Sequence, residues 1–257
     1  MTGLTVMKTE PLSRHTTLRI GGVADWFVEP LYWQALRELV ALCREYDVPY
    51  YVLGQGSNVL VPDEGVRGVV VSLKQAANRL EINETNVKVG TGVALGSLVT
   101  ETVRARLSGL EPLAGIPGSV GGAVFMNAGT SAGTLGQLVR SVTILDGEGS
   151  LRQIPAEEMK FGYRTSILQE NTDWVALEAG LALSRGSEAT QDILREHNAR
   201  RRASQPLNYP NAGSIFKNPP DDFAGRMIEA VGAKGLRVGG AEISTLHANF
   251  IVNVGGA

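Results

Sequence analysis

The sequence predicts an α+β chain, on three observations. Apolar runs of strand character alternate with amphipathic helical stretches along the whole length, no internal repeat is visible, and the glycines gather in short clusters. At 257 residues the chain can form one large domain or two to three smaller ones. Its 31 glycines exceed the roughly 18 that an average usage of about 7% would give. Clustered without a collagen-like period, they point to backbone that approaches a ligand closely.

From the N-terminus, Leu36, Leu39, Val40 and Cys43 recur at helical spacing within Tyr32–Tyr46, so an amphipathic helix is expected there, stopped near Asp47 and Pro49. Cys43 then lies in the core. Strands are predicted at Tyr50–Leu53, at the β-branched run Val66–Leu73 and at Val87–Val89, followed by a helix from Ala94 to about Leu107 that closes at Gly109. The glycine-dense stretch Leu110–Gly136 comes next, then a strand Val139–Asp146 whose Asp146-Gly147 end signals a hairpin. A strand at Trp174–Leu183 precedes the break Ser184-Arg185-Gly186-Ser187, the best boundary between domains. Beyond it we expect a long helix, about Glu188 to Ala203, a helix near Asp222–Val231 and a terminal strand at Asn249–Val254.

The net charge of −2 provides no general attraction to nucleic acid or to an anionic membrane. One cysteine excludes an intrachain disulfide and a cysteine zinc cluster, and no His/Asp/Glu spacing suggests a metal. No leader pattern or membrane-length apolar run is present, so a cytoplasmic, monomeric chain acting on a small molecule is the expectation.

Gly54-Gln55-Gly56-Ser57-Asn58 starts like a dinucleotide fingerprint, but Val59 stands at the third glycine position and no clean helix follows. The phosphate-loop pattern ending in Gly-Lys-Ser/Thr is absent. Two readings of this stretch remain: a plain turn between strands, or an anion nest of free N–H groups helped by Ser57 and Asn58. A second cluster, Gly115-Ile116-Pro117-Gly118-Ser119-Val120-Gly121-Gly122-Ala123, continues into Met126-Asn127-Ala128-Gly129. Two such loops beside predicted sheet suit one long diphosphate-containing cofactor.

In chain order, Thr17-Leu18-Arg19-Ile20-Gly21-Gly22, the loop Val52–Leu60, Leu113–Gly129, Phe161-Gly162-Tyr163-Arg164-Thr165-Ser166, Asn211–Pro219 and His247–Asn253 resemble the UDP-N-acetylenolpyruvoylglucosamine reductases, in their shorter, second type. The resemblance covers nearly the whole chain. It implies a two-part flavin-binding domain of the vanillyl-alcohol-oxidase (PCMH) type, residues 1–72 and 73–186, and an α+β substrate domain, 187–257. It further implies an FAD- and NADPH-dependent oxidoreductase of peptidoglycan synthesis. FAD would be held without a covalent bond by Gly54, Gln55, Gly56, Ser57, Asn58, Val59 and Leu60 in one loop. In the other it would be held by Gly115, Ile116, Pro117, Gly118, Ser119, Gly121, Gly122, Ala123, Asn127, Ala128 and Gly129.

The resemblance also implies that Arg164 stabilises the substrate carboxylate and Ser214 donates a proton, while Tyr163, Gln205, Lys217 and Asn218 bind the sugar nucleotide. By residue type alone Ser214 also reads as a turn serine, Arg164 as a surface arginine and Lys217 as a solvated lysine. The chemistry is workable: hydride addition to the enolpyruvyl terminal carbon leaves charge on the adjacent carbon and its carboxylate, which a placed hydroxyl can protonate and an arginine fork can stabilise. Arg195, Arg200, Arg201 and Arg202 give the preceding helix a basic side, either solvated or assisting the diphosphate. His15 and His197 read as surface residues and His247 as structural.

Relatives of this type continue past the position of Ala257 with a glutamate that assists the arginine, a role no residue here takes. A truncated chain with a poorly protected last domain is therefore expected. The alternatives are a glutamate supplied from elsewhere, a chain that binds flavin and sugar nucleotide without turnover, and a flavin oxidase of the same fold.

Overall fold

The computed structural model describes residues 2–257. Its contacts divide the chain into two compact units. One contains the N-terminal segment up to Glu10, Ala24–Gly54 and Arg67–His197; the other contains Pro11–Val23, Gln55–Val66 and Asn198–Ala257.

The larger unit is built on two sheets. Strands Leu4–Pro11, Val23–Pro30, Val66–Val71 and Tyr50–Val52 are neighbours in that order, the last two parallel with Tyr50 opposite Val69 and Val52 opposite Val71. A five-stranded antiparallel sheet follows, in the order Leu151–Pro155, Val139–Leu145, Val175–Ala182, Asn86–Gly90, Leu80–Asn83. Helix α1, Trp33–Glu45, turns Leu36, Leu39, Val40 and Cys43 inward against Val28, Val69 and Val71 of the first sheet and Leu145, Val175 and Leu177 of the second. Cys43 is a core residue, as expected, and burial raises its thiol pKa.

Helix α2, Leu95–Arg104, buries Leu95, Leu98, Val99 and Val103 in the second cluster, beside Val87, Val89, Ile144 and Leu181. Each fully buried leucine contributes about 1.5–3 kcal/mol, so Leu98→Ala in α2 would cost several times an ordinary surface change. The helix ends at Arg104, earlier than expected, because Arg106 and Gly109 both adopt positive φ, and Leu107–Ser108 pairs with Ser184–Arg185. The expected Asp146-Gly147 hairpin is present, with Leu145 opposite Leu151. Inside the second glycine cluster a six-residue helix, α3, Val120–Phe125, was not anticipated. Its glycines argue against helix by propensity, and the serine cap at Ser119 with apolar Val120, Ala123 and Val124 overrides them.

Helix α4, Ala189–Ser204, follows the Ser184–Ser187 break as expected and buries only Thr190. The smaller unit holds a four-stranded antiparallel sheet in the order Asn211–Ser214, Phe250–Asn253, Ala241–Ile243, Arg237–Val238, with helix α5, Ala224–Ala230. Its core is thin: Leu12, Leu18, Val61, Ala212, Phe250 and Val252 are buried, while Phe216, Phe223, Val231 and Val238 are exposed. No helix among the described residues is long and apolar enough to cross a membrane.

Candidate active site

The first glycine loop leaves the strand Tyr50–Val52 and reaches no second strand until Val66, so it is a longer excursion than a turn between adjacent strands. Gly56 is buried at φ 61, and a Cβ there would overlap the carbonyl oxygen of His15. Only glycine fits such a position. Thr17 backs the loop, its N–H donating to the Gly56 carbonyl at 3.0 Å. The N–H groups of Gly54, Gln55, Gly56, Asn58 and Leu60 donate to nothing among the described residues. Successive free amides of this kind form an anion-binding concavity. Leu60 is 73% exposed, and Val59 and Ser57 are half-buried.

The second loop is shaped by Gly115 at φ 70 and Gly118 at φ 132. Val120 and Gly121 donate to the carbonyls of Val93 and Thr91, both at 2.8 Å, and Gly122 donates to Ser119 Oγ at 3.2 Å. A side chain on Gly121 would press on Thr91, so that glycine serves close packing against the strand end. The N–H groups of Gly115, Gly118 and Ser119 have no partner among the described residues. Gly54, where the chain leaves the larger unit, lies against the second loop, and a Cβ on it would come 2.5 Å from Ser119 Oγ. Ile116 packs partly buried on the core, Ala123 lies within it, and Pro117 is exposed.

Asn127, at φ 43 and 5% exposed, uses its whole side-chain amide inside the protein. Its Nδ2 donates to the Gly162 carbonyl and its Oδ1 accepts from Gly136, both at 2.9 Å. It therefore ties the end of the second loop to the turn Gly162–Thr165, which closes on itself through Gly162 N–H to Thr165 at 3.2 Å. Ser166 and Gln169 fasten the same turn to the Phe125 carbonyl at the end of α3, at 2.9 and 3.0 Å. Within it Arg164 sits at φ 59, a conformation that costs a non-glycine residue about 1–3 kcal/mol. Its Nη2 donates to the Gly129 carbonyl at 2.8 Å, and the guanidinium lies 5.3 Å from the ring centre of the exposed Tyr163. Ala128 and Gly129 thus form the edge against which Arg164 rests.

In the smaller unit Ser214 is the last residue of its strand and is exposed. Lys217 and Asn218 lie just beyond, also exposed, with Asn218 Oδ1 accepting from Ala224 N–H at the start of α5 at 3.1 Å. Gln205 follows α4, and its Oε1 is buried without a partner, as is Nε of Arg201 one helical turn earlier. Burial pushes the Arg201 guanidinium pKa down. His247 is half-buried: Nδ1 accepts from Asn249 N–H at 3.2 Å and the ring packs edge-on against Phe250, 4.8 Å between centres, which is a structural setting. His15 and His197 are also half-buried, less exposed than expected.

Residues 24–154 match the FAD binding domain family, and residues 205–257 match the family described as UDP-N-acetylenolpyruvoylglucosamine reductase, C-terminal domain. A UDP-N-acetylenolpyruvoylglucosamine reductase of Anoxybacillus flavithermus is 44% identical over 98% of this chain and 84% of its own. The Bacillus subtilis protein of the same name is 44% identical over the same shares. The chain belongs to the UDP-N-acetylenolpyruvoylglucosamine reductase family. Its structure also resembles the crystal structure of the Thermus caldophilus reductase, with a TM-score of 0.87 and 39% identity over 99% of this chain and 89% of that one. A likeness to the cholesterol oxidase of Brevibacterium sterolicum, TM-score 0.56 at 16% identity, concerns the fold alone.

For a reductase of this family the residues present fit a flavin dinucleotide: each glycine loop carries N–H groups with no partner among the described residues, and Gly54, Gly56 and Gly121 sit where a Cβ would crowd the protein. Several supporting residues were not foreseen. Thr91, 2% exposed, holds Gly121 from behind, and Glu111, 4% exposed, accepts from Gly109 N–H at 2.6 Å ahead of the second loop. The Thr17–Gly22 motif has a structural part of its own. Here Gly21 and Gly22 pack directly on Val61 and Asp63, which leaves no space for side chains and holds the segment that follows the first loop. That close approach was signalled by the glycine pair alone.

Proposed function

We propose that this reductase converts the enolpyruvyl ether of UDP-N-acetylglucosamine to the lactyl ether of UDP-N-acetylmuramate, with FAD as cofactor and NADPH as donor, in the cytoplasmic synthesis of peptidoglycan precursor. The observation that carries the reading is the bond from Arg164 to Gly129: it ties a guanidinium to the last residue of a flavin loop. Bound FAD supplies hydride to the terminal enolpyruvyl carbon. Gly54, Gln55, Gly56, Ser57, Asn58, Val59 and Leu60 would hold its diphosphate side through loop amides, and Gly115–Gly129 would hold the remainder.

The protein's part in the chemistry is to manage charge and a proton. As the terminal carbon gains hydride, negative charge spreads over the adjacent carbon and its carboxylate. Arg164, with one Nη fixed on Gly129, keeps further N–H donors for that carboxylate, and a donor fixed before charge develops lowers the barrier by about 3–4 kcal/mol. Ser214 Oγ would give its proton to the carbon that bears the ether oxygen. Tyr163 would cover the sugar nucleotide, and Lys217 and Asn218 would meet its diphosphate. Gln205 Oε1 and Arg201 Nε, buried without partners, each carry a penalty of about 1–3 kcal/mol that polar groups of a ligand would remove. The three-part division at 1–72, 73–186 and 187–257 remains our functional scheme; it is supported by the three larger sheets, each contained within one of these spans.

Single-turnover absorbance tests the residue roles. With flavin reduced by NADPH under anaerobic conditions, Arg164→Ala and Ser214→Ala should each slow its reoxidation by the enolpyruvyl substrate by roughly 10² to 10³, with flavin still bound. Reoxidation at the unmodified rate would remove the role from that residue.

A further inference from the structure

Ser214 is bracketed by two asparagine side chains. Upstream, Asn211 pairs with Val252 and Ser214 with Phe250, so three steps along one strand face two along the other. The extra residue is taken up at Gly213, at φ 77, whose N–H donates to Asn211 Oδ1 at 3.0 Å. A bulge of this type turns the next side chain out of the regular alternation. Downstream, the ladder runs one step further, Ile215 N–H to the Asn249 carbonyl at 2.9 Å. The Asn249 side chain then replaces a strand partner: Oδ1 accepts from Phe216 N–H and Nδ2 donates to the Phe216 carbonyl, both at 2.9 Å. Asn249 is 3% exposed, and its own N–H is bound by His247 Nδ1, so all its polar groups are committed.

We propose that Asn249 is a positioning residue for Ser214. The inference rests on the reading of Ser214 as proton donor. The segment from Ser214 to Pro219 is exposed, and its first residues are held by Asn249, whose carbonyl accepts from Ile215 N–H and whose side chain engages both backbone polar groups of Phe216. A serine hydroxyl is a weak acid that transfers a proton usefully only from a fixed position, and a displacement of about 1 Å costs on the order of 10²-fold. Asn249 fixes both backbone polar groups of Phe216, two residues from the hydroxyl, and is itself 3% exposed.

The test is a double-variant cycle read by flavin reoxidation. Asn249→Ser should reoxidise roughly 10²-fold slower than the unmodified protein, with substrate affinity changed by less than about threefold. Asn249→Ser with Ser214→Ala should be no slower than Ser214→Ala alone, because the asparagine acts through the serine. In the flavin-free chain, amide exchange at Phe216 should quicken while that of Val252 stays protected, which a general loss of folding would not produce. If Asn249→Ser fails to fold, Asn249→Asp takes its place: it keeps the acceptor for Phe216 N–H and sets a carboxylate oxygen against the Phe216 carbonyl where the donor stood. Unmodified reoxidation in the asparagine variant, or losses that add in the double variant, would overturn the inference alone. Unmodified reoxidation in Ser214→Ala would overturn the proton-donor reading and this inference with it.

Discussion

Arg164 joins a long charged side chain to a left-handed backbone, as Arg19, Arg106 and Lys160 also do, and what sets it apart is the turn around it, which is overdetermined by Asn127, Ser166 and Gln169. Strain held this firmly fixes the guanidinium before any substrate arrives. Arg164→Lys keeps the charge but not the planar fork, so we expect reoxidation by substrate to slow on the order of 10²-fold, as read by stopped-flow absorbance, with flavin binding unchanged. Gly56→Ala places a methyl on the His15 carbonyl at positive φ. It should weaken FAD binding more than tenfold in a fluorescence titration and destabilise the flavin-free chain by about 1–3 kcal/mol. At this scale residue type and motif order in the sequence pointed to Arg164 and Ser214 as candidates. The sequence was not legible for Asn249, Thr91 or Thr17. Their partners are distant in sequence, as with Thr17 Oγ1 donating to the Asn211 carbonyl at 2.6 Å across 194 positions.

Among the elements, α1 and the strands Val139–Leu145 and Val175–Ala182, which have strong apolar periodicity, were found within about one residue of their expected limits, and so was α4, which buries only Thr190 and is delimited by the Ser184–Ser187 break and Pro206. Leu4–Pro11 and Val23–Pro30 carry mixed exposure and were not recognised, since their strand character depends on pairing rather than on alternation. Helix α3 was hidden by glycines that it needs for close approach to Thr91. Gly96, in the first turn of α2, has no such reason: it is exposed, and a Cβ there meets nothing within 4 Å. Gly96→Ala should therefore stabilise the chain by about 0.4–1 kcal/mol in denaturant unfolding without altering flavin binding. A loss of stability there would mean that α2 is constrained in a way its surroundings do not show.

For the whole molecule, the two units differ in how much apolar surface they bury. The larger has two extended clusters, while the smaller has a thin core and follows a helix that buries little beyond Thr190. Trypsin should cut first between Arg195 and Arg202 and leave the larger unit intact; a first cut within 73–186 would contradict this ordering. Acid should act on the smaller unit through His247. Burial above all, with a smaller effect from Lys234, lowers its pKa below the ordinary 6.5, and its Nδ1 must stay unprotonated to accept from Asn249. The unfolded chain therefore takes up the proton first as pH falls. Stability should hold above about pH 7 and decline as pH drops through about 6.5 toward the lowered folded value. Melting temperatures that stay flat from about pH 7 to 5, or fall equally in His247→Gln, would exclude His247 as the cause.

This 257-residue chain passes electrons from NADPH through FAD to an enolpyruvyl sugar nucleotide. An anaerobic absorbance time course of the FAD-loaded protein, first with NADPH and then with UDP-N-acetylglucosamine enolpyruvate, tests that transfer in a single experiment. The oxidised flavin band should bleach with NADPH and return rapidly on mixing with that substrate, with one equivalent of UDP-N-acetylmuramate formed per flavin. A band that bleaches and returns only when oxygen is admitted would contradict the claim and leave a flavin protein of the same fold with a different electron acceptor.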